Sequence, residues 1–156
     1  MISIDGIYHL KFAVADLERS ARFYETVFGA KWLTKDDHFT PEGALFAIIL
    51  DFPGLGTQLQ LKLDPAAAAA QRGTNPVAFL VDTLDRLHSY VRDLDALKVS
   101  HSPVLNGLIQ WLIVIEDPDL RQLRIYSREL HGPDVEPSKS ERWLGNGPKD
   151  PNAAKQ

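Results

Sequence analysis

"IYHLKFAVADLERSARFYETVFGAKW", residues Ile7–Trp32, changes its period part-way along. Over 7–14, "IYHLKFAV" reads as a strand, with Leu10, Phe12 and Val14 as its apolar set. From Leu17 onward the apolar residues Leu17, Ala21, Tyr24 and Phe28 recur at helical spacing and make one stripe. Asp16 stands where a carboxylate can accept from the exposed amides of a first helical turn. Gly29 stands where a left-handed residue commonly ends a helix. The stretch therefore predicts a strand, a helix over Asp16–Phe28, and a glycine stop. Three strand-like runs follow, at 31–34, at "ALFAIIL" (Ala44–Leu50) and at "TQLQLKL" (Thr57–Leu63).

The pattern then returns. "PVAFLVDTLDRLHSYVRDLDALKV" aligns beneath "HLKFAVADLERSARFYETVFGAKW" at an offset of 67, with Phe12 over Phe79, Val14 over Val81, Leu17 over Leu84, Arg19 over Arg86 and Lys31 over Lys98. Thr83 replaces Asp16 as the cap, and Leu84, Leu87, Val91 and Leu94 form a second helical stripe over Thr83–Leu97. Strands are again expected, near Val99, at "LIQWLIVIE" and at "RQLRIYS" after the turn "EDPDL". Each half reads as strand, helix, three strands. This internal repeat is the main organisational signal in the chain.

The expected layout is a first module over 5–66, a connector over 67–74, a second module over 75–128 and an extended tail over 129–156. In "DPAAAAAQRGTN" alanine favours a helical turn, but Pro65 and Gly73 bracket the run and favour a connector. "HGPDVEPSKSERWLGNGPKDPNAAKQ" has no periodicity. Trp143 and Leu144 are placed to pin it to the domain or to a second subunit.

Composition narrows the classes. The chain has 156 residues, 44% of them hydrophobic, and a net charge of −4, which fits a folded domain. No basic run suggests nucleic acid as a partner, and no apolar run is long enough to cross a bilayer. With no cysteine, disulfides, thiolate metal sites and cysteine nucleophiles are excluded. No secretory leader is evident, so a cytoplasmic location is expected.

The paired modules, with "HLKFAVADLERSARFYETVFG" opening the first and "DPDLRQLRIY" closing the second, resemble the vicinal oxygen chelate superfamily of glyoxalase I, extradiol dioxygenases, fosfomycin-resistance enzymes and bleomycin-binding proteins. The resemblance covers roughly 5–128. It implies an α+β fold of two βαβββ modules whose curled mixed sheets form a cup with helices outside. It also implies four metal-ligand places, which fall here on His9, Gln60, Pro76 and Arg124. Histidine and glutamate are usual there. Proline offers no side-chain donor, and arginine is a permanent cation that repels a metal. No metal and no cofactor are therefore expected.

Strand alternation gives the cup its lining. His9 and Lys11 share a face, as do Gln58, Gln60 and Lys62, and as do Gln122, Arg124 and Tyr126. That lining carries Lys11, Lys62 and Arg124 and no carboxylate, a positive patch within an acidic protein. Trp111 offers a flat ring to a planar ligand if it faces inward. His101 reaches the cup mouth or caps a loop. The expected ligand contacts are thus Lys11, Gln58, Gln60, His101, Trp111, Arg124 and Tyr126.

Three functions remain open on these residues. The first is a metal-free binding protein of the sequestering or resistance type, holding a small anionic and partly apolar molecule in its cup. The second is an enzyme. Either His9 acts as general base with Arg124 and Lys11 stabilising an enolate or carboxylate, or a lyase or dioxygenase uses His9 as metal ligand. The third is an interaction module with a filled cup. Exposed sheet edges favour a homodimer.

Overall fold

The computed structural model describes residues 1–145. The chain divides into two compact units, Met1–Gln71 and a second that begins at Arg72. Residues 146–156 of the expected tail lie outside the described residues.

The first unit holds β1 (His9–Val14), α1 (Leu17–Phe28), β2 (Lys31–Trp32), β3 (His38–Phe39), β4 (Leu45–Asp51), β5 (Gln58–Leu63) and α2 (Pro65–Ala70). Its sheet runs β1-β5-β4-β2, with β3 added on β4. β1 is parallel to β5, and the other pairs are antiparallel. The helix is set where its residues dictate. The Asp16 carboxylate accepts from the Arg19 amide at 2.8 Å, and Gly29 closes the last turn at φ 67°. Leu17, Ala21 and Tyr24 are buried. They lie on the side where α1 packs against β4 and β5. Phe12, Val14, Leu59, Leu61, Ile48 and Leu50 are buried in the same unit, each worth about 1.5–3 kcal/mol for removal from water.

The alanine run is a helix rather than a connector. Asp64 accepts from the Ala67 amide at 3.0 Å, Pro65 occupies the first turn, where its missing N–H costs nothing, and Ala68 is buried.

The second unit repeats the plan with β6 (Ala78–Val81), α3 (Leu84–Leu97), β7 (Leu105–Asn106), β8 (Gln110–Glu116) and β9 (Gln122–Leu130), followed by α4 (Glu141–Leu144). The order is β6-β9-β8-β7, again with the first and last strands parallel. The register preserves the repeat. Lys11 pairs with Gln60, and Ala78, 67 residues after Lys11, pairs with Arg124, 64 residues after Gln60.

Two details depart from the sequence expectation. α3 has 14 residues against 12 in α1, so its left-handed stop falls on Lys98, at φ 56°. Lys98 thus does the work of Gly29, and its alignment with Lys31 of β2 is not structural. The strand expected near Val99 is replaced by a single bridge from His101 to Ile115, and the paired strand comes later, at β7. The slip follows from the longer helix and from Pro103, which cannot donate to a ladder.

The turn "EDPDL" is built around a buried ion pair. Arg121 and Asp117 are 0% and 2% exposed, and Arg121 Nη2 lies 2.7 Å from Asp117 Oδ2. The other Asp117 oxygen accepts from the amides of Asp119 and Arg121, each at 3.0 Å. This pairing holds Leu120 at φ 64°, a conformation that a leucine rarely adopts.

Candidate functional site

In the first unit, β1 and β5 are in register, so His9 lies beside Gln58 and Lys11 beside Gln60. Directly paired residues share a face, so these four side chains form one polar surface, opposite the one that α1 covers. Ile49 and Asp51 of β4 continue it, so the face carries a carboxylate, against the sequence expectation of none, because β4 adds its own residues to the lining. His9 is half-buried, with the Tyr8 ring 5.0 Å away. Lys11 is exposed, whereas Gln60 is 8% exposed. The start of β1 is tied to the start of β5 by the Thr57 hydroxyl, which donates to the Tyr8 carbonyl.

In the second unit the same face carries Gln122, Arg124 and Tyr126, paired with Glu116, Val114 and Leu112 of β8. The Arg124 Nη1 donates to the Tyr126 hydroxyl at 3.4 Å. Its Nε donates to the Asn75 side-chain oxygen at 3.1 Å, once that amide is turned so that its nitrogen donates to the carbonyls of Gln122 and Val77. Both partners are neutral. Glu116, which pairs with Gln122 on the same face, is engaged elsewhere, with the Ser100 hydroxyl and with Arg142 at 3.4 Å. Among the described residues Arg124 has no carboxylate partner. It opens into a cavity of about 470 Å³, within the range of small-molecule sites.

That cavity is floored by Arg124, Tyr126 and Leu112 and walled by the β7–β8 turn and by Pro137, Ser138 and Leu144 of the tail. Trp143 is 7% exposed and packs with Leu105, Leu112 and Val114, with Tyr126 and Leu144 against the cluster. The tail residues Trp143 and Leu144 are therefore pinned to their own unit. Asn75, Ser138 and the turn at Asn106 were not among the expected site residues. Nothing in their type or spacing marks them, because only the fold brings Asn75 to Arg124 and Ser138 and Asn106 to the cavity.

Two expected contacts stand apart from this cavity. His101 has both ring nitrogens engaged, at 2.7 Å from the Ser102 carbonyl and 3.2 Å from Asp95 Oδ1. It ties the end of α3 to the following loop. Trp111 precedes Leu112 and so alternates to the opposite face. Its ring meets His131 edge-on at 5.4 Å, and a bulge separates it from the regular register.

The donor set can be tested against the metal that the superfamily resemblance implies. His9 supplies one imidazole and Gln60 a neutral amide. Pro76 lies before β6 and offers nothing, and Arg124 brings a fixed positive charge. Among the described residues no three histidine, aspartate or glutamate side chains come together as a metal-holding group. A divalent ion wants three or more imidazole or carboxylate donors, and these positions do not fit one.

Residues 6–119 match the Glyoxalase/Bleomycin resistance protein/Dioxygenase superfamily. The chain belongs to that superfamily. A metallothiol transferase FosB from Lysinibacillus sphaericus is 32% identical over 98 residues, covering 62% of this chain and 64% of the relative. The chain thus spans rather less than two thirds of that relative's length. Among solved structures, a mutant of the fosfomycin resistance protein FosX from Listeria monocytogenes, complexed with Mn(II) and 1S,2S-dihydroxypropylphosphonic acid, superposes with a TM-score of 0.64 at 18% identity, over 80% of this chain and 93% of that one. A glyoxylase/bleomycin resistance protein/dioxygenase domain from Frankia sp. EAN1pec gives 0.62 at 19%, over 80% and 98%. At such identities the likeness is one of fold. Among the described residues no helix is long and apolar enough to cross a membrane.

Proposed function

We propose that this superfamily member binds a small organic anion without a metal, as a sequestering or resistance protein. The observation that supports it is Arg124. It stands on the last strand where the family resemblance places a glutamate ligand, it has only neutral partners, and it opens into a cavity. A guanidinium in that setting forms charge-assisted, often bidentate, bonds with carboxylate, phosphonate or phosphate. The Listeria protein's phosphonate ligand is of the same chemical class.

Elemental analysis and calorimetry test the reading together. Purified protein is expected to carry zinc, manganese, nickel and iron far below one equivalent. Phenylphosphonate is expected to bind, and Arg124→Gln to weaken it at least tenfold with an unchanged circular dichroism spectrum. Loss of one charged partner in a desolvated site costs about 2–5 kcal/mol. Near-stoichiometric metal would instead favour the enzymatic alternative, in which His9 acts as a ligand, as the 32% identity to a metallothiol transferase would suggest.

A further inference from the structure

We infer that residues 136–144 are a strap, made of this chain's own C-terminal segment, that closes the Arg124 cavity and sets the size of the apolar group an anionic ligand can carry. The inference rests on the anion-binding reading of that cavity. It adds a wall and a size limit, and it assigns them to residues outside the repeated modules.

The strap is held at both ends. At its start it runs beside β7. The Ser138 amide donates to the Asn106 carbonyl at 2.9 Å, the Asn106 amide donates to the Ser138 hydroxyl at 2.9 Å, and the Asn106 side chain donates to the Glu136 carbonyl at 3.2 Å. At its end Trp143 is buried among Leu105, Leu112 and Val114. By register Leu112 and Val114 share the face of Tyr126 and Arg124. The preceding Arg142 lies over the Trp143 ring at 4.3 Å, reaches Ser100 and Glu116, and accepts from Gln122 through its carbonyl at 3.0 Å. The exposed ion pair contributes little. The buried indole is the principal anchor.

At and beside the anchors, Pro137, Ser138 and Leu144 line the cavity. Across from them the β7–β8 turn presents Leu108 and Ile109, 85% and 60% exposed. One end of the cavity is therefore a cation, and its sides set apolar Leu108, Ile109, Pro137 and Leu144 among the polar side chains of Asn106, Gln110 and Ser138. That geometry suits an anion carrying a compact aryl or alkyl group. A bare anion meets only the floor.

The test uses the full chain and two probes in calorimetry, phenylphosphonate and inorganic phosphate. Leu144→Trp fills the apolar wall. It is expected to weaken phenylphosphonate at least tenfold while leaving phosphate within twofold. Should that variant fail to fold, as judged by its melting curve, Ser138→Trp intrudes from the other end of the strap and is expected to act the same way. Arg124→Gln is expected to weaken both probes. If it does so while the tryptophan variants bind phenylphosphonate as wild type does, the strap is no wall and the inference is overturned, though the anion reading stands. If Arg124→Gln changes neither probe, or wild type takes up neither at millimolar concentration, the anion reading fails and the strap's role fails with it.

Discussion

Arg124 keeps its charge unpaired among the described residues because its neighbours are neutral. Asn75 and the Tyr126 hydroxyl orient the guanidinium without cancelling its charge, and Glu116 is drawn away by Arg142 and Ser100. Arg121, three residues earlier, shows the opposite arrangement. It is fully buried and matched by Asp117. Sequence distinguishes these two arginines only by strand parity, which put Arg124 on the polar face but could not reveal what surrounds it. His101 was less legible, since nothing local announces that Asp95, six residues earlier, meets its ring. A single buried polar atom gives a residue-scale prediction. Ser20 Oγ, on the covered side of α1, is buried with no hydrogen-bond partner. An unsatisfied hydroxyl of this kind costs about 1–3 kcal/mol, and alanine is the better helix former. Ser20→Ala is therefore expected to stabilise the protein by about 1 kcal/mol in urea unfolding. A loss of stability would mean that the hydroxyl is satisfied.

At the scale of elements, both long helices were readable from their caps. Asp16 and Thr83 each accept from the amide three residues on, and the apolar stripes begin one residue later. The ends were less alike. Gly29 stops α1 at little cost, whereas Lys98 must adopt the left-handed conformation to stop α3, at a cost of about 1–2 kcal/mol for a residue with a Cβ. Lys98→Gly is expected to raise the melting temperature, recovering about 1 kcal/mol. An unchanged or lower value would show that the lysine side chain compensates. The "EDPDL" turn was recognised as a turn, but its ion pair was not, because burial of Arg121 is a consequence of packing. Removing one member of a buried pair strands the other charge, typically at about 3–5 kcal/mol. Arg121→Met should therefore lower stability by that order, measured by denaturant midpoint. A double variant with Asp117→Asn should recover part of the loss.

For the whole molecule, the repeat was the most legible feature. Two strand–helix–strand patterns offset by 67 residues became two sheets with the same four-strand path, the first with β3 added, because parity and helical period are local properties that survive divergence. The tail was the least legible. Its proline-rich sequence has no period, and only Trp143 and Leu144 hinted that part of it is anchored. Assembly is the remaining question at this scale. Each sheet ends in outer strands, β1 and β2 in one and β6 and β7 in the other, and such edges invite pairing unless they are covered. At the entrance to β1, Ile7 and Tyr8 are 66% and 87% exposed. Apolar exposure at the end of an outer strand is a surface that a symmetric partner can cover. The 17.4 kDa chain is therefore expected to run in light scattering at twice that mass at micromolar concentration. Substituting Ile7→Asp and Tyr8→Asp together places two like charges beside their symmetry mates and should shift the mass to that of a single chain, with the circular dichroism spectrum unchanged. If wild type is already monomeric, the exposed edge is tolerated and the dimer is excluded. If the doubly substituted chain stays dimeric, the interface lies elsewhere on the molecule.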